Sequence, residues 1–407
     1  MSFNIALSGI QAINEQLNSI SNNIANAGTY GYKAQRANFS SMYAGSQPTG
    51  TQIGSTTQNI SLTGGVLNTG RAMDASIDGR GFFISKTSTG QEVYSRVGIF
   101  TKDGNDFLVD SAGRRVQGAK LTPGVAAPGP KGDIVVPTTT LPAKASTEID
   151  FAANLSADWK KPAGTFPAAP TAATPPDPST YNMSKTTLAY DSQGKAHTVT
   201  QYFSRTGDNT LDVDVHTLVD GVLSTTGNPK TLKFDSSGKL DTTVAGNAAN
   251  AVTFSAAPAA TVALNVDYTG TTFQAGEATT STNVANGYTT GQYVGVELGK
   301  DGKVIAKYSN GEQQAVGQIL IATMSNEDAL TPVNDTSWVA NSDVGTITES
   351  NPGESVAGGL AIATLEGSNV DITSELVGLM GSQRNYQANS KVITTENAML
   401  QSLMQAL

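Results

Sequence analysis

Phe3, Ala6, Ile10, Ile13, Leu17, Ile20 and Ile24 follow one another at steps of three and four. At the opposite end of the 407-residue chain, Leu376, Leu379, Gln383, Tyr386, Ser390, Ile393, Asn397, Leu400, Met404 and Leu407 keep the same rhythm, with apolar side chains at most positions. This spacing is a heptad seam, the pattern of helices that pack along their length. One seam at a terminus would suit a docking helix. Two seams, one per terminus, predict that the ends meet and that their joint apolar face takes further partners. An apolar helical stripe is more often core packing within a monomer. Here each seam sits at an extreme terminus beside a low-complexity stretch, where a helix frays unless something covers it.

Composition supports a building block over a catalyst. Charged residues make up 14% of the chain, against roughly 25% in ordinary globular proteins. Gly is abundant at 42 residues. Such a surface can pack on copies of itself without strong repulsion. The net charge of −9 and the lack of a Lys/Arg run argue against a nucleic-acid partner. Without cysteine, disulfides, thiolate metal sites and Cys nucleophiles are excluded.

No stretch predicts direct membrane insertion. Thr242 to Val266 carries no charge, but Asn, Ser, Thr and Pro interrupt it well short of about 20 apolar residues. The first charge is Glu15, so the N-terminus has no basic region of a cleaved secretory signal.

The period of the pattern sets the organisation. Residues 1–27 predict a helix, with Gly28 a stop. Residues 28–70, rich in Gly, Ser and Thr, predict extended or partly ordered structure fixed against neighbours. From about 71 the period becomes two. Ala75-Ser76-Ile77, Phe82-Phe83-Ile84, Val93–Arg96 and Phe107–Val109 read as short strands, separated by Asp-Gly and Asp-Ser-Ala-Gly turns. In the next region the strand candidates are Tyr190, His197–Phe203, Leu211–His216, Leu232–Phe234 and Val262–Tyr268. Residues 161–180 hold six of the 16 prolines and predict an exposed polyproline-like loop. Strands return over 292–323. A last helix starts near 370, capped by Asp371 or Thr373, with Glu375 and Glu366 favouring its N-terminal side.

The resulting expectation is a mainly β fold with terminal α-helices pairing as a coiled coil, and two antiparallel β-domains in an elongated, nested, multi-domain subunit. The terminal helical and extended assembly domain takes 1–70 and 364–407. A discontinuous middle β-domain takes 71–144 and 290–363, and an inserted outer β-domain takes 145–289.

No catalytic, cofactor-binding or metal site is expected. The two histidines, His197 and His216, lie in period-two runs and read as half-exposed strand residues. Gly79-Arg80-Gly81 lacks the third Gly and the helix of a dinucleotide site. Asp191-Ser192-Gln193-Gly194-Lys195 and Asp235-Ser236-Ser237-Gly238-Lys239 read as hairpin turns rather than calcium loops. Asp212 and Asp214 share a strand face that solvation explains.

Two stretches carry a resemblance. Ser21-Asn22-Asn23-Ile24-Ala25-Asn26-Ala27-Gly28-Thr29-Tyr30-Gly31-Tyr32-Lys33 resembles the N-terminal signature of bacterial flagellar rod and hook proteins, the axial family. Ser368-Asn369-Val370-Asp371-Ile372, then Glu375 and Gln383-Arg384-Asn385-Tyr386-Gln387-Ala388-Asn389, resembles their C-terminal signature. Tyr190 to Thr200 with Tyr202-Phe203 is similar to a stretch in the outer domain of hook proteins. Arg71-Ala72-Met73-Asp74 with Gly81-Phe82-Phe83 is similar to the start of their middle β-domain. Residues 161–180 and 241–290 resemble nothing placed.

The resemblance implies a structural subunit of the flagellar hook, a homopolymer forming a flexible curved tube that transmits torque from rod to filament. It implies an extracellular place in the basal body and hook, reached through the flagellar type III export apparatus without a cleaved signal peptide. It also implies contact with a hook cap protein, a distal rod protein and a hook–filament junction protein. The assembly interface is expected at Ile10, Ile13, Leu17, Ile20, Asn22, Asn23, Ile24, Asn26, Leu376, Leu379, Gln383, Arg384, Tyr386, Ile393, Leu400 and Leu403. A rod or junction protein is the nearest alternative. A secreted β-rich adhesin or binding module is the alternative from another class, and it leaves the paired helical ends unexplained.

Overall fold

A computed structural model describes residues 2–44, 46–122 and 127–406. Two helices bracket a chain that is otherwise strand and turn: α1 (Ser2–Ala25) and α2 (Ile372–Ala406). They pack on each other. Asp371 caps α2, as its Oδ1 accepts from the Thr373 N–H at 3.0 Å and its Oδ2 from the Ser374 hydroxyl at 2.7 Å. Glu375 lies in the first turn of α2.

The stretch after α1 is more regular than its composition predicts. Strands β1 (Gln35–Ala44) and β2 (Gln47–Gln58) form one long antiparallel hairpin, with register shifts at Asn38/Phe39 and Met42/Tyr43. It packs along α1. Gly50 lets it approach closely: a Cβ there would sit 2.1 Å from Ser8 Oγ, and the φ of +135° excludes most side chains.

The described residues divide into two compact units, Met1–Thr138 with Gly295–Lys307 and Gln313–Leu407, and Thr139–Val294 with Tyr308–Glu312. In the first, Gln313–Ile319, Arg115–Lys120, Phe82–Lys86, Glu92–Ser95 and Ser337–Val339 lie side by side in one sheet. Late strands, Gln313–Ile319 and Ser337–Val339, therefore flank the early ones. Ile60, Phe82, Ile84, Tyr94, Met324 and Trp338 form one core cluster beneath it. The Phe82 and Trp338 rings meet edge to face with their centroids 5.7 Å apart, and the Trp338 indole N–H donates to Gln58 Oε1 at 2.7 Å.

The second unit is a pair of sheets. One orders Ala249–Phe254, Val262–Asp267, Glu148–Ser156 and Thr272–Gln274, with Thr279–Ala285 also on Glu148–Ser156; the other orders Met183–Tyr190, Ala196–Arg205, Asp212–Val219 and Val222–Leu223, with Lys230–Lys233 on Asp212–Val219. Pairing is antiparallel except where Glu148–Ser156 runs parallel to Val262–Asp267 and Thr272–Gln274. Phe151 stacks on Phe203 at 5.0 Å within a core that includes Leu155, Val199, Val213, Val215, Leu264 and Tyr268. The chain enters and leaves this unit through bridges Leu141–Gly291 and Lys144–Tyr288.

The Asp-x-x-Gly-Lys turns share one geometry. Asp191 Oδ1 accepts from the N–H groups of Gln193 and Lys195 at 2.8 and 2.9 Å, and Asp235 Oδ1 accepts from Ser237 and Lys239 at the same distances. Gly194 and Gly238 take φ of +82° and +73°, as such turns require.

Two sequence expectations change here. His197 is buried rather than half-exposed, with Nδ1 2.7 Å from Asp220 Oδ2 and Nε2 3.4 Å from Asp191 Oδ2. The turn aspartates bracket the ring and draw it inward. His216 is half-buried because Phe166, from the proline-rich stretch, stacks on its ring at 3.9 Å. That burial lowers the His216 pKa against the opposing pull of Asp214. The proline-rich stretch is thus anchored by its aromatic residue, with Pro170 and Pro176 buried. It is a loop closed by a Thr171–Thr174 bridge and a single 3-10 turn at Pro178–Thr180.

Candidate assembly interface and the junction of the chain ends

The helix pair is antiparallel. Asn23 meets Glu375, Ile20 lies against Gly378 and Gly9 against Asn389. Small residues set the spacing. A Cβ on Gly378 would come 3.5 Å from Ile20 Cδ1, and one on Gly9 would come 3.0 Å from Asn389 Nδ2. Ser382 is buried on the same side of α2. The contact on α2 therefore runs along 375, 378, 382 and 389, a stripe of small and polar residues.

Part of the apolar surface of α2 lies off this contact, although the seam residues Leu379 and Ile393 are half-buried. Leu376, Val377, Met380, Leu400, Leu403 and Met404 are 46–74% exposed. Helix length adds to this. Facing pairs step down α1 as they step up α2, which brings Ser2 level with Glu396. Residues 397–406 then run about 15 Å beyond α1. Leu400, Leu403 and Met404 belong to that overhang.

The expected interface residues separate into three groups by exposure. Ile13, Ile20 and Asn23 are buried within the subunit. Ile10, Leu17, Ile24, Asn26, Leu379 and Ile393 are half-buried. Asn22, Leu376, Gln383, Arg384, Tyr386, Leu400 and Leu403 are exposed. Leu407 lies outside the described residues. On α1, burying Ile13 and Ile20 against the subunit's own elements contributes about 1.5–3 kcal/mol each.

At the root of the helices the two terminal motifs are stitched together. Asn23 Nδ2 donates to Glu375 Oε1 and to the Gln35 carbonyl, both at 2.8 Å, while its Oδ1 accepts from the Gln35 N–H at 2.9 Å and the Tyr32 hydroxyl at 3.2 Å. Burial, then the Glu375 carboxylate, raises the Tyr32 pKa. Asn369 Oδ1 accepts from the Ala34 N–H at 2.7 Å, and its Nδ2 donates to the Asn59 and Leu62 carbonyls at 2.9 Å. Lys33 Nζ donates to Glu366 Oε1 at 2.7 Å with both side chains buried. Burial lowers the Lys33 pKa, and Glu366 opposes that shift.

Sequence reasoning overlooked Gly9, Gly378, Ser382, Lys33 and Glu366 as contact residues. Gly378 and Ser382, four apart, are the signal that could have placed the close helix contact.

The N-terminal stretch 3–33 matches the "Flagella basal body rod protein" family model, and residues 363–406 match "Flagellar basal body rod FlgEFG protein C-terminal". Between them, 76–153 match "Flagellar hook protein FlgE/F/G D1 domain" and 154–288 match "Flagellar basal body protein FlaE D2 domain". The flagellar hook protein FlgE of Salmonella typhimurium is 35% identical over 99% of both chains. The chain belongs to the flagellar hook protein family. The hook protein of Escherichia coli K12 is 34% identical over 99% of each chain, and that of Brucella abortus 33% identical over 96% of this chain and 94% of its own. The fold resembles the crystal structure of the Helicobacter pylori hook protein FlgE2, with a TM-score of 0.54 at 11% identity, covering 74% of this chain and all of that one.

This hook-family chain is a structural subunit that polymerises into the flagellar hook. No helix among the described residues is long and apolar enough to cross a membrane. Glu148, Asp150 and Asp267 bring their carboxylates within 4.8 Å of one another, at the parallel pairing of Asp150 with Asp267.

Proposed function

We propose that the exposed apolar face and overhang of α2 are the surface on which neighbouring copies join, building the inner layer of a curved tube that transmits torque from rod to filament. The overhang carries this reading. A helix that runs on past α1 with Leu400, Leu403 and Met404 exposed has, over that stretch, nothing among the described residues of its own subunit to cover it. Identical head-to-tail contacts that do not close generate an open helix. The subunit acts without catalysis. It passes through the flagellar type III export apparatus uncleaved and then meets a hook cap protein, a distal rod protein and a hook–filament junction protein.

Low surface charge suits bending. Weak polar contacts between Ser, Thr, Asn and Gly side chains exchange with water at little cost, whereas fixed ion pairs would favour one register.

The test is to concentrate purified subunit in high salt and image it by electron microscopy. Tubes are expected from the unmodified chain. Leu400→Asp should give none while its circular dichroism spectrum matches that of the parent. Normal tubes from Leu400→Asp would remove the overhang from the interface.

A further inference from the structure

Lys33, Glu366 and Arg96 form a buried ionic cluster with side chains 0–2% exposed. They come from three places: the end of the N-terminal motif, the approach to α2, and the β-unit between. Lys33 Nζ also donates to the Leu62 carbonyl at 2.7 Å. Glu366 Oε1 accepts from the Gly64 N–H at 3.1 Å. Glu366 Oε2 lies 3.6 Å from Arg96 Nη1, which donates to the Gly79 carbonyl at 2.9 Å. Glu366 Oε2 and Arg96 Nε make no hydrogen bond. The cluster is therefore held in part by charge alone.

Such a cluster adds little net stability, because removing three charges from water offsets most of their mutual attraction. It discriminates strongly between arrangements. Any pairing of the chain ends that moves Glu366 by one residue buries at least one charge without its partner. The backbone around it has equally little tolerance. The Gly31 N–H donates to the Glu366 carbonyl at 2.8 Å and the Gly367 N–H to the Gly65 carbonyl at 2.7 Å. A Cβ on Gly64 would lie 2.0 Å from the Gly367 carbonyl oxygen. Beyond this junction, Asn23–Glu375 ties the two helices side chain to side chain.

We propose that the Lys33–Glu366–Arg96 cluster is a register lock: it closes before the terminal helices order and makes α1 pair with the α2 of its own chain instead of another's. This rests on the reading that the helices gain their final partners from neighbouring copies. The lock is assayed on monomers, so its failure is separate from failure of polymerisation.

The experiment is hydrogen exchange on full-length chain below the concentration at which it polymerises, with light scattering of the same samples. In the unmodified chain, amides at 31–34, 62–67 and 366–369 should exchange at least about tenfold more slowly than those of α2. Lys33→Met and Glu366→Gln should each bring those amides to the helix rate while 82–86 and 115–120 stay protected. The triple variant K33M/R96M/E366M replaces the charges with apolar side chains. It should restore protection and yet yield exchanged dimers in which α1 of one chain lies on α2 of another. Unchanged exchange in both single variants overturns the lock, as does a triple variant that stays wholly monomeric. If Glu366→Gln unfolds the whole unit, the triple variant decides alone.

Discussion

Asn23 donates to Glu375 Oε1 at 2.8 Å, joining side chains 352 residues apart. The same carboxamide binds both backbone groups of Gln35, so one buried side chain fixes α1, the root of the β1–β2 hairpin and the start of α2. Removing it strands the Gln35 N–H, while the Gln35 carbonyl keeps the Ser19 hydroxyl at 3.1 Å. Asn23→Ala should therefore cost about 1–3 kcal/mol, read as a lower denaturant midpoint for loss of helical signal. Glu375→Ala should cost less, because Gln35 remains satisfied. Equal effects would mean that the helix–helix tie, rather than the hairpin, dominates.

The two apolar groups on the helices should respond differently. Leu403 is 56% exposed, and Leu403→Asp should leave monomer stability within about 0.5 kcal/mol while abolishing sedimentable polymer. Ile13 is 6% exposed. Ile13→Asp should unseat α1 in the monomer, seen as rapid proteolysis before about residue 30. Two variants that both polymerise, or that both destabilise the monomer, would contradict this division.

Much of this was legible in sequence because it rested on local chemistry. The 3-4 apolar steps placed both helices, and period-two runs beside the Asp78-Gly79 turn placed the strands at Ala75–Asp78, Phe82–Lys86 and Glu92–Ser95. Ala249–Phe254 and Thr279–Ala285 were missed because Ala, Asn and Thr there gave no clear alternation, whereas Glu148–Ser156 was missed although Ile149, Phe151, Ala153 and Leu155 alternate in it. The helix contact was hidden for another reason. Seam logic seeks large apolar residues, whereas α1 meets α2 through Gly378, Ser382 and Asn389. Nor could periodicity show that Lys33 lies against Glu366, since that pairing exists only once distant strands have met.

Gly9 tests how closely the helices are packed. A Cβ there comes 3.0 Å from Asn389 Nδ2, the far end of a side chain that can rotate away. Gly9→Ala should be tolerated, with up to about 1 kcal/mol gained from helix propensity. Gly9→Leu has no such escape and should separate the helices, exposing Ile13 and Ala6 to exchange. Thermal unfolding of the two variants distinguishes the cases. A destabilised Gly9→Ala would mean that Asn389 is fixed by something besides Gly9.

Acid should loosen α2 and the turns at Asp235 and Asp241. The Ser374 hydroxyl and the Thr373 N–H hold the Asp371 carboxyl below the usual value. Ser237 and Lys239 do the same for Asp235, and Thr243 for Asp241. Their folded pKa values are depressed, so each folded contact stabilises the chain above the unfolded value of about 3.9. That contribution disappears as pH falls below about 4 and through the lower folded values. Helical circular dichroism should hold from neutral pH down to about 4 and decline below it. Asp371→Asn retains a capping acceptor without the titration, and it should flatten the part of the decline that belongs to α2. An unchanged acid profile in Asp371→Asn would show that protonation elsewhere controls the helix.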